Sequence, residues 1–376
     1  MTLRELFNDF AQWQRRGLRV AVARVIDVEG SGPREPGAAM AVAENGEVVG
    51  SVSGGCVEGA VVSEALAILA GEKAPGIITF GYSDDEAFAV GLTCGGIIHL
   101  FIQPLDAYLA DASVQVLAER TSQQTPVGLA TVIEGPHVGS WLIVSPQHSP
   151  IGSLGNIELN RIVGRDTLGE LEAGTTGVRH YGADGQTTPE DLDDTPMVKI
   201  FVESFAPPPH MWIFGAVDFT AALARVAKIL GYHVTVCDAR EVFATRRRFP
   251  MADEVVVTWP NTYFESHGQS LTARDAVCVL THDAKFDVPA IQGALSTKAG
   301  YIGVMGSRKT HTKRLERLVL AGVTSPNDLA RLMSPIGLDL GARTPEETAI
   351  SICAEIIAQR TGRQSPSLKD ASGPIH

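Results

Sequence analysis

The sequence predicts an α/β protein: an N-terminal α+β domain with a weak internal duplication, followed by a Rossmann-like domain on a parallel sheet. Three observations carry that reading. Three consecutive prolines, Pro207 to Pro209, interrupt the middle of the chain; strands and helices alternate after them; short segments recur in order before them. A length of 376 residues suits two domains, each with its own core. Consecutive prolines fit neither a helix nor a central strand and favour an extended spacer, so residues 206–210 are read as the linker. The domains then run over 1–205 and 211–363, with a tail over 364–376.

The first element is a helix. Thr2 and Glu5 have capping-box spacing, and Leu3, Leu6, Phe7, Phe10 and Trp13 follow at helical intervals until Gly17. Residues 19–28, with Val20, Val22 and Val25, read as a strand; a Gly/Pro-rich loop over 30–37 precedes strands near 38–43 and 47–52. Residues 56–70 turn helical, with Val57, Val61, Ala65, Ile68 and Leu69 on one face. Strands over 77–80 and 97–103 follow, separated by an acidic, glycine-punctuated loop. The recurrence lays Ala23-x-Val25-Ile26-x-x-Glu29-Gly30 against Ala130-Thr131-Val132-Ile133-Glu134-Gly135. It also lays Gly50-Ser51-Val52-Ser53-Gly54 against Gly152-Ser153-Leu154-Gly155, and Phe101-Ile102-Gln103-Pro104 against Phe201-Val202-Glu203-Ser204. After the linker come a strand at 211–215, a helix at 219–230, a strand at 232–237, and strands at 254–258, 276–280 and 301–304.

Composition narrows the function. A formal charge of −12 argues against a nucleic-acid surface, and Arg246-Arg247-Arg248 reads as a solvated face near a helix end. No apolar run approaches the roughly 20 residues that span a bilayer, and the first residues do not form a signal sequence. A cytoplasmic protein is expected. Five cysteines, an odd number without regular spacing, do not make a disulfide framework.

Chemistry is sought where glycine meets cysteine. In Gly54-Gly55-Cys56-Val57-Glu58 paired glycines let the backbone close on a ligand and turn amides toward an anion, and a helix starts there, which favours the Cys56 thiolate. Cys56 as a small residue filling the turn is the alternative. Thr93-Cys94-Gly95-Gly96 repeats the pattern, and the second copy of the duplication lacks both segments. The loop Ser31-Gly32-Pro33-Arg34-Glu35-Pro36-Gly37 can aim Arg34 at an anion, or can be a well-made surface turn.

In the second half Gly215 ends a strand and Asp238 follows the next, near the spacing of a ribose-binding carboxylate, with Arg240 close by. These are the candidate nucleotide residues. The glycine fingerprint is broken by Val217 and Thr220, which counts against NAD(P). Thr281-His282-Asp283 and Gly306-Ser307-Arg308-Lys309 follow predicted strands on the usual ligand side of an open α/β sheet.

Together these segments resemble the XdhC/CoxI family of xanthine dehydrogenase accessory proteins over almost the whole chain. Residues 30–40, Gly54-Gly55-Cys56-Val57-Glu58 and Thr93-Cys94-Gly95-Gly96 are similar to its N-terminal signatures. Residues 231–240, Thr281-His282-Asp283, 301–308 and 335–347 are similar to its C-terminal ones. The resemblance implies a chaperone that binds molybdenum cofactor of the molybdopterin type, guards it during sulfuration and delivers it to a molybdenum hydroxylase. It implies a cysteine desulfurase as sulfur donor and a homodimer. The residues assigned to the cofactor are Arg34, Gly54, Gly55, Cys56, Glu58, Cys94, Gly95, Gly96, His282, Asp283, Ser307 and Arg308, with Cys56 as the molybdenum contact. No catalytic residue is assigned. An NAD(P)-dependent oxidoreductase and a permanent subunit of a molybdenum hydroxylase are the alternatives.

Overall fold

Strand β1 (Val20–Glu29) is buried along most of its length, and the first part of the protein is built around it. The computed structural model describes residues 1–30, 32, 34–81, 96–105, 112–182, 185 and 197–370, with the backbone alone for 112–114. By contacts the chain divides into one unit of Met1–Pro207 with Leu368–His376 and a second of Pro208–Ser367.

In the first unit a 3-10 turn (Leu3–Leu6) leads into α1 (Phe7–Arg15), and the Thr2 amide donates to Glu5 Oε2 at 2.8 Å. Among the described residues the next elements are β2 (Ala39–Ala43), β3 (Val48–Gly50), α2 (Glu58–Ala70), β4 (Gly76–Phe80), β5 (Ile97–Pro104) and α3 (Ala112–Ser122). A second set follows: β6 (Val127–Glu134), β7 (Trp141–Ser145), β8 (His148–Ser153), α4 (Ile157–Ala173), β9 (Gly177–Gly182) and β10 (Met197–Phe205). The two antiparallel sheets have the orders β3-β2-β1-β5-β4 and β8-β7-β6-β10-β9. The second repeats the first strand for strand, which is the duplication read from the sequence.

Each sheet lays one face on its own helix. Val61, Ala65 and Ile68 of α2 pack on Ala21, Ala23 and Val25; Leu159 and Val163 of α4 pack on Ala130 and Val132. The other faces meet each other through Ile26, Phe101, Ile133 and Phe201. Burial on both sides explains why β1 reads as a near-continuous apolar run. Its one charge in the buried stretch is Arg24, whose Nη1 donates to Glu203 Oε2 on β10 at 2.5 Å and to Thr131 Oγ1 on β6 at 3.2 Å. Both members of the pair are nearly inaccessible, at 1% and 2% exposure. The Phe101 and Phe201 rings flank the guanidinium at 5.6 and 5.7 Å.

The second unit is a six-stranded sheet of order β13-β12-β11-β14-β15-β16 with every pairing parallel. Its strands are β11 (His210–Phe214), β12 (His233–Cys237), β13 (Glu254–Val256), β14 (Ala276–Val279), β15 (Tyr301–Val304) and β16 (Leu332–Met333). Helices α5 (Asp218–Ile229), α6 (Pro260–His267), α7 (Ala284–Leu295), α8 (Arg308–Leu320), α9 (Pro326–Ala330) and α10 (Pro345–Thr361) complete it. One core cluster joins the sheet to α5 and α10, another to α6 and α7, so both faces are covered. This is the Rossmann-like arrangement the β-α-β alternation predicts. Strand β16 was not foreseen; two residues carry too little pattern to be seen in a sequence.

The Arg246–Arg248 run matches its expectation in part: Arg246 and Arg247 are exposed, but no described helix ends beside them, and two of the side chains also make defined contacts. Arg246 Nη1 donates to the Ala252 carbonyl at 2.5 Å and its Nη2 to that of Asp253, while Arg248 Nη1 donates to the Ala216 carbonyl at 3.1 Å. Two of the three guanidinium groups therefore satisfy backbone carbonyls of connecting loops instead of facing only water.

Candidate functional site

Register alone gathers the motif loops of the first unit. Arg24 on β1 pairs with Ala39 at the start of β2, and Met40 pairs with Gly50 at the end of β3. Glu29, ending β1, pairs with Ile97, starting β5, while Phe80, ending β4, pairs with Ile98. The loop carrying Arg34, the turn carrying Cys56 and the strand ends flanking residues 82–95 thus leave the sheet at one end. Cys94 and Gly95 lie outside the described residues. Gly96 is described: a Cβ added to Gly30 would lie 3.7 Å from its Cα, so the approach to the Arg34 loop runs beside it.

The Cys56 turn is held by the first residue of α2. Glu58 Oε1 accepts from Ser51 Oγ at 2.6 Å and the Ser53 amide at 2.9 Å. Its Oε2 accepts from Ser53 Oγ at 2.5 Å, the Gly55 amide at 2.9 Å and the Val57 amide at 3.2 Å. Ser53 Oγ in turn accepts from the amides of Cys56 and Val57, each at 3.0 Å, and Ser51 Oγ from that of Gly54 at 2.9 Å. Burial would raise the Glu58 carboxyl, but the Ser51 and Ser53 hydroxyls and the Ser53 amide outweigh it and bring the pKa from 4.5 down to about 2. Gly54 and Gly55 have φ of +75° and +118°, and an added Cβ would meet nothing within 4 Å at either. Backbone conformation, with open space around it, is thus what requires glycine here. Cys56 is half-buried against the α2 core and is not in a disulfide.

The sequence suggested that these amides face an incoming anion. They are instead turned inward onto Glu58 and the two serines. Ser51 and Ser53 escaped the sequence reading; their signal is a pair of hydroxyls just ahead of an acidic helix start. The second copy keeps a neutral version: Asn160 Oδ1 accepts from the Leu154 amide at 2.7 Å and its Nδ2 donates to Ser153 Oγ at 3.1 Å.

Arg34 is exposed on the rim of an open cavity of ≈350 Å³, lined also by Met1, Thr2, Gly32, Glu35 and Pro36. That is near the lower end, about 300 Å³, of cavities that bury a small molecule.

In the second unit Gly215, Asp238, Arg240, His282, Asp283, Ser307 and Arg308 all follow carboxyl ends of strands. Asp238 Oδ2 accepts from the Ala216 amide at 2.7 Å and from Arg240 Nη2 at 2.7 Å; its Oδ1 accepts from the Arg240 amide and Nε, each at 2.9 Å. Burial would raise the carboxyl, yet these bonds hold it below the ordinary value. Arg240 lies 4.7 Å over the Phe243 ring and 5.9 Å from that of Phe286, which Trp259 stacks upon at 4.7 Å. Gly215 has φ +116°, and a Cβ there would come within 2.9 Å of Thr281 Cγ2. His282 is exposed. Asp283 caps α7 through the Lys285 amide at 3.1 Å, and Ser307 caps α8 through that of Thr310 at 3.1 Å. Beneath them, buried Arg314 donates to Asp287 Oδ2 at 3.0 Å and to the Met305 carbonyl at 2.7 Å. Arg314 and Asp287 went unnoticed in the sequence because nothing local marks either.

Among the described residues no three His, Cys, Asp or Glu side chains stand together as a metal site. None of the described helices is long and apolar enough to cross a membrane.

A duplicated α+β unit with a glycine-cysteine turn, joined to a Rossmann-like unit, defines the class. Residues 13–81 match the XdhC and CoxI family and residues 211–356 the XdhC Rossmann domain. A Bacillus subtilis (strain 168) protein, named as a probable xanthine dehydrogenase subunit, is 30% identical over 90% of this chain and 92% of its own. The chain belongs to the XdhC and CoxI family. The molybdenum cofactor insertion chaperone PaoD of Escherichia coli (strain K12) is 26% identical over 93% of this chain and 86% of its own. A crystal structure of a xanthine dehydrogenase from Bacillus halodurans matches 98% of each chain with a TM-score of 0.66 and 25% identity.

Proposed function

We propose that this protein is an accessory chaperone that binds molybdenum cofactor of the molybdopterin type, supports its sulfuration and passes it to a xanthine dehydrogenase-type molybdenum hydroxylase. The observation that carries the reading is the convergence, at one end of one sheet, of the Cys56 turn, the Arg34 loop and Gly96. Support comes from a relative named as a molybdenum cofactor insertion chaperone and another named as a xanthine dehydrogenase subunit.

The donor types suit the group. This cofactor brings its own dithiolene sulfurs for the metal, so a cluster of three protein ligands is not required; a soft donor and cations for its phosphate are. Cys56 would supply the first and Arg34 a cation, with Gly54, Gly55 and Gly96 shaping the turns around them, and Cys94 and Gly95 are assigned to the cofactor from the sequence alone. When bound, the group supplies the molybdenum centre that a client enzyme uses. Glu58 holds the turn, and the half-buried setting of Cys56 limits its exposure to water. On this reading His282, Asp283, Ser307 and Arg308 form a second, polar set of contacts, a cysteine desulfurase donates the sulfur, and the working state is a cytoplasmic homodimer.

Purified protein mixed with cofactor released from a molybdenum enzyme should form a stoichiometric complex that Cys56→Ala weakens. Equal retention by both proteins removes Cys56 from the site. The relative named as a subunit favours a second reading, a permanent partner of a molybdenum hydroxylase. Co-purification with the client at fixed stoichiometry would select it over transient delivery.

A further inference from the structure

A glycine-rich turn at a helix start ordinarily offers its amides to an anion from outside. Here the amides of Ser53, Gly55 and Val57 converge on Glu58, and those of Gly54, Cys56 and Val57 on the hydroxyls of Ser51 and Ser53. We propose that Glu58 is a positioning residue, an anion built into the chain that sets the Cys56 turn in its working shape before any ligand arrives and keeps free anions out of it. The family resemblance makes Glu58 a cofactor contact. The geometry gives it a different task, since both of its oxygens are already engaged.

Two features make a carboxylate necessary. Its two oxygens face only donors, so a glutamine would turn an NH2 group toward either the Ser53 amide or the amides of Gly55 and Val57, which cannot reverse their role. The second copy shows the contrast. There, among the described residues, Asn160 accepts from one amide, that of Leu154, and donates to Ser153; no cysteine follows that turn. The negative charge therefore belongs to the half that carries Cys56. One consequence rests on the cofactor reading: an anionic part of the ligand must be held by Arg34 or by other cations, leaving the soft centre for Cys56.

The test needs no cofactor, so its failure is separable from failure of that reading. In the full chain, alkylation of Cys56 by iodoacetamide is followed by peptide mass spectrometry for wild type, Glu58→Ala and Glu58→Gln. Loss of the clamp should speed alkylation about tenfold in both variants, as the turn opens locally. Sodium acetate, a carboxylate small enough to occupy the space left in Glu58→Ala, should restore the slow rate, whereas sodium chloride at equal ionic strength should not. An unchanged rate in Glu58→Ala, or an acceleration that acetate leaves untouched, overturns the proposal. Should either variant fail to fold, hydrogen exchange on the wild type decides. Slow exchange at Gly55, Cys56 and Val57 supports the clamp, and rapid exchange there overturns it.

Discussion

Replacing Glu203 by alanine would leave the Arg24 guanidinium between two sheets with no counter-charge. The pair is held at 2.5 Å, and Arg24 has only Thr131 as another hydrogen-bond partner for its side chain among the described residues. Arg24 Nε and Nη2 and Glu203 Oε1 already lack partners there. Burial pushes the Glu203 carboxyl up, and the adjacent Arg24 opposes that shift. Removing one member of a buried pair costs about 3–5 kcal/mol, because the survivor cannot reach water. For a unit of this size each kcal/mol moves Tm by roughly 2–4 °C, so the first unit should melt about 10 °C lower. Replacing both residues by apolar ones, Arg24→Met with Glu203→Leu, should recover most of the loss, since such swaps are often neutral or favour the apolar pair by about 1–4 kcal/mol. Urea unfolding of the full chain, with probes in each unit, reads both effects. A cost under about 1 kcal/mol for Glu203→Ala, or a double variant as unstable as the single one, would refute the reasoning, placing the loss in packing instead of charge.

Gly215→Ala should destabilise the second unit by about 2–3 kcal/mol, because φ is +116° and the new methyl meets Thr281 at 2.9 Å; a loss below about 0.5 kcal/mol in urea midpoints would contradict the strain. Burial holds the half-buried His210 below its usual 6.5, against the opposing pull of Asp275, so the unfolded chain binds its proton more tightly. Its contribution to stability is therefore full above about pH 6.5 and falls as pH drops below it, and His210→Gln should flatten the unfolding midpoint of the second unit across that window. NAD and NADP, titrated against protein fluorescence, should show no saturable binding in the micromolar range, because the Ala216 amide and the Asp238 carboxylate are committed to each other and exposed Asp218 stands at the start of α5. Saturation there would revive a dinucleotide role for Gly215, Asp238 and Arg240.

Much of the fold was legible because it is written in local pattern. Val20 to Ile26 is apolar enough to read as a strand, Gly231 separates α5 from β12, and Phe101-Ile102-Gln103 recurs as Phe201-Val202-Glu203 with the same place in its sheet. The site was legible as a set of motifs and not as a mechanism. Nothing near Gly54-Gly55 tells whether its amides face a ligand or Glu58; that depends on how the chain turns between Ser51 and Val57. Arg24 inside an apolar strand was a visible anomaly, but its partner lies 179 positions away. Arg314 and Asp287, on different helices, meet only once the sheet is assembled. Arg248 finds the Ala216 carbonyl by the same route, a contact that a run of three largely solvated arginines does not announce.

If the Cys56 end of the first unit holds molybdenum cofactor, the protein should carry it out of the cell. The most direct test is molybdenum and pterin analysis of the full chain purified from cells whose cofactor pathway is intact, beside Cys56→Ala made in the same way. The expected result is molybdenum and oxidised-pterin fluorescence in equal amounts on the wild type, and loss of most of both from the variant while its melting temperature is kept. Wild-type protein carrying neither, or a variant carrying as much of each as the wild type, would contradict it.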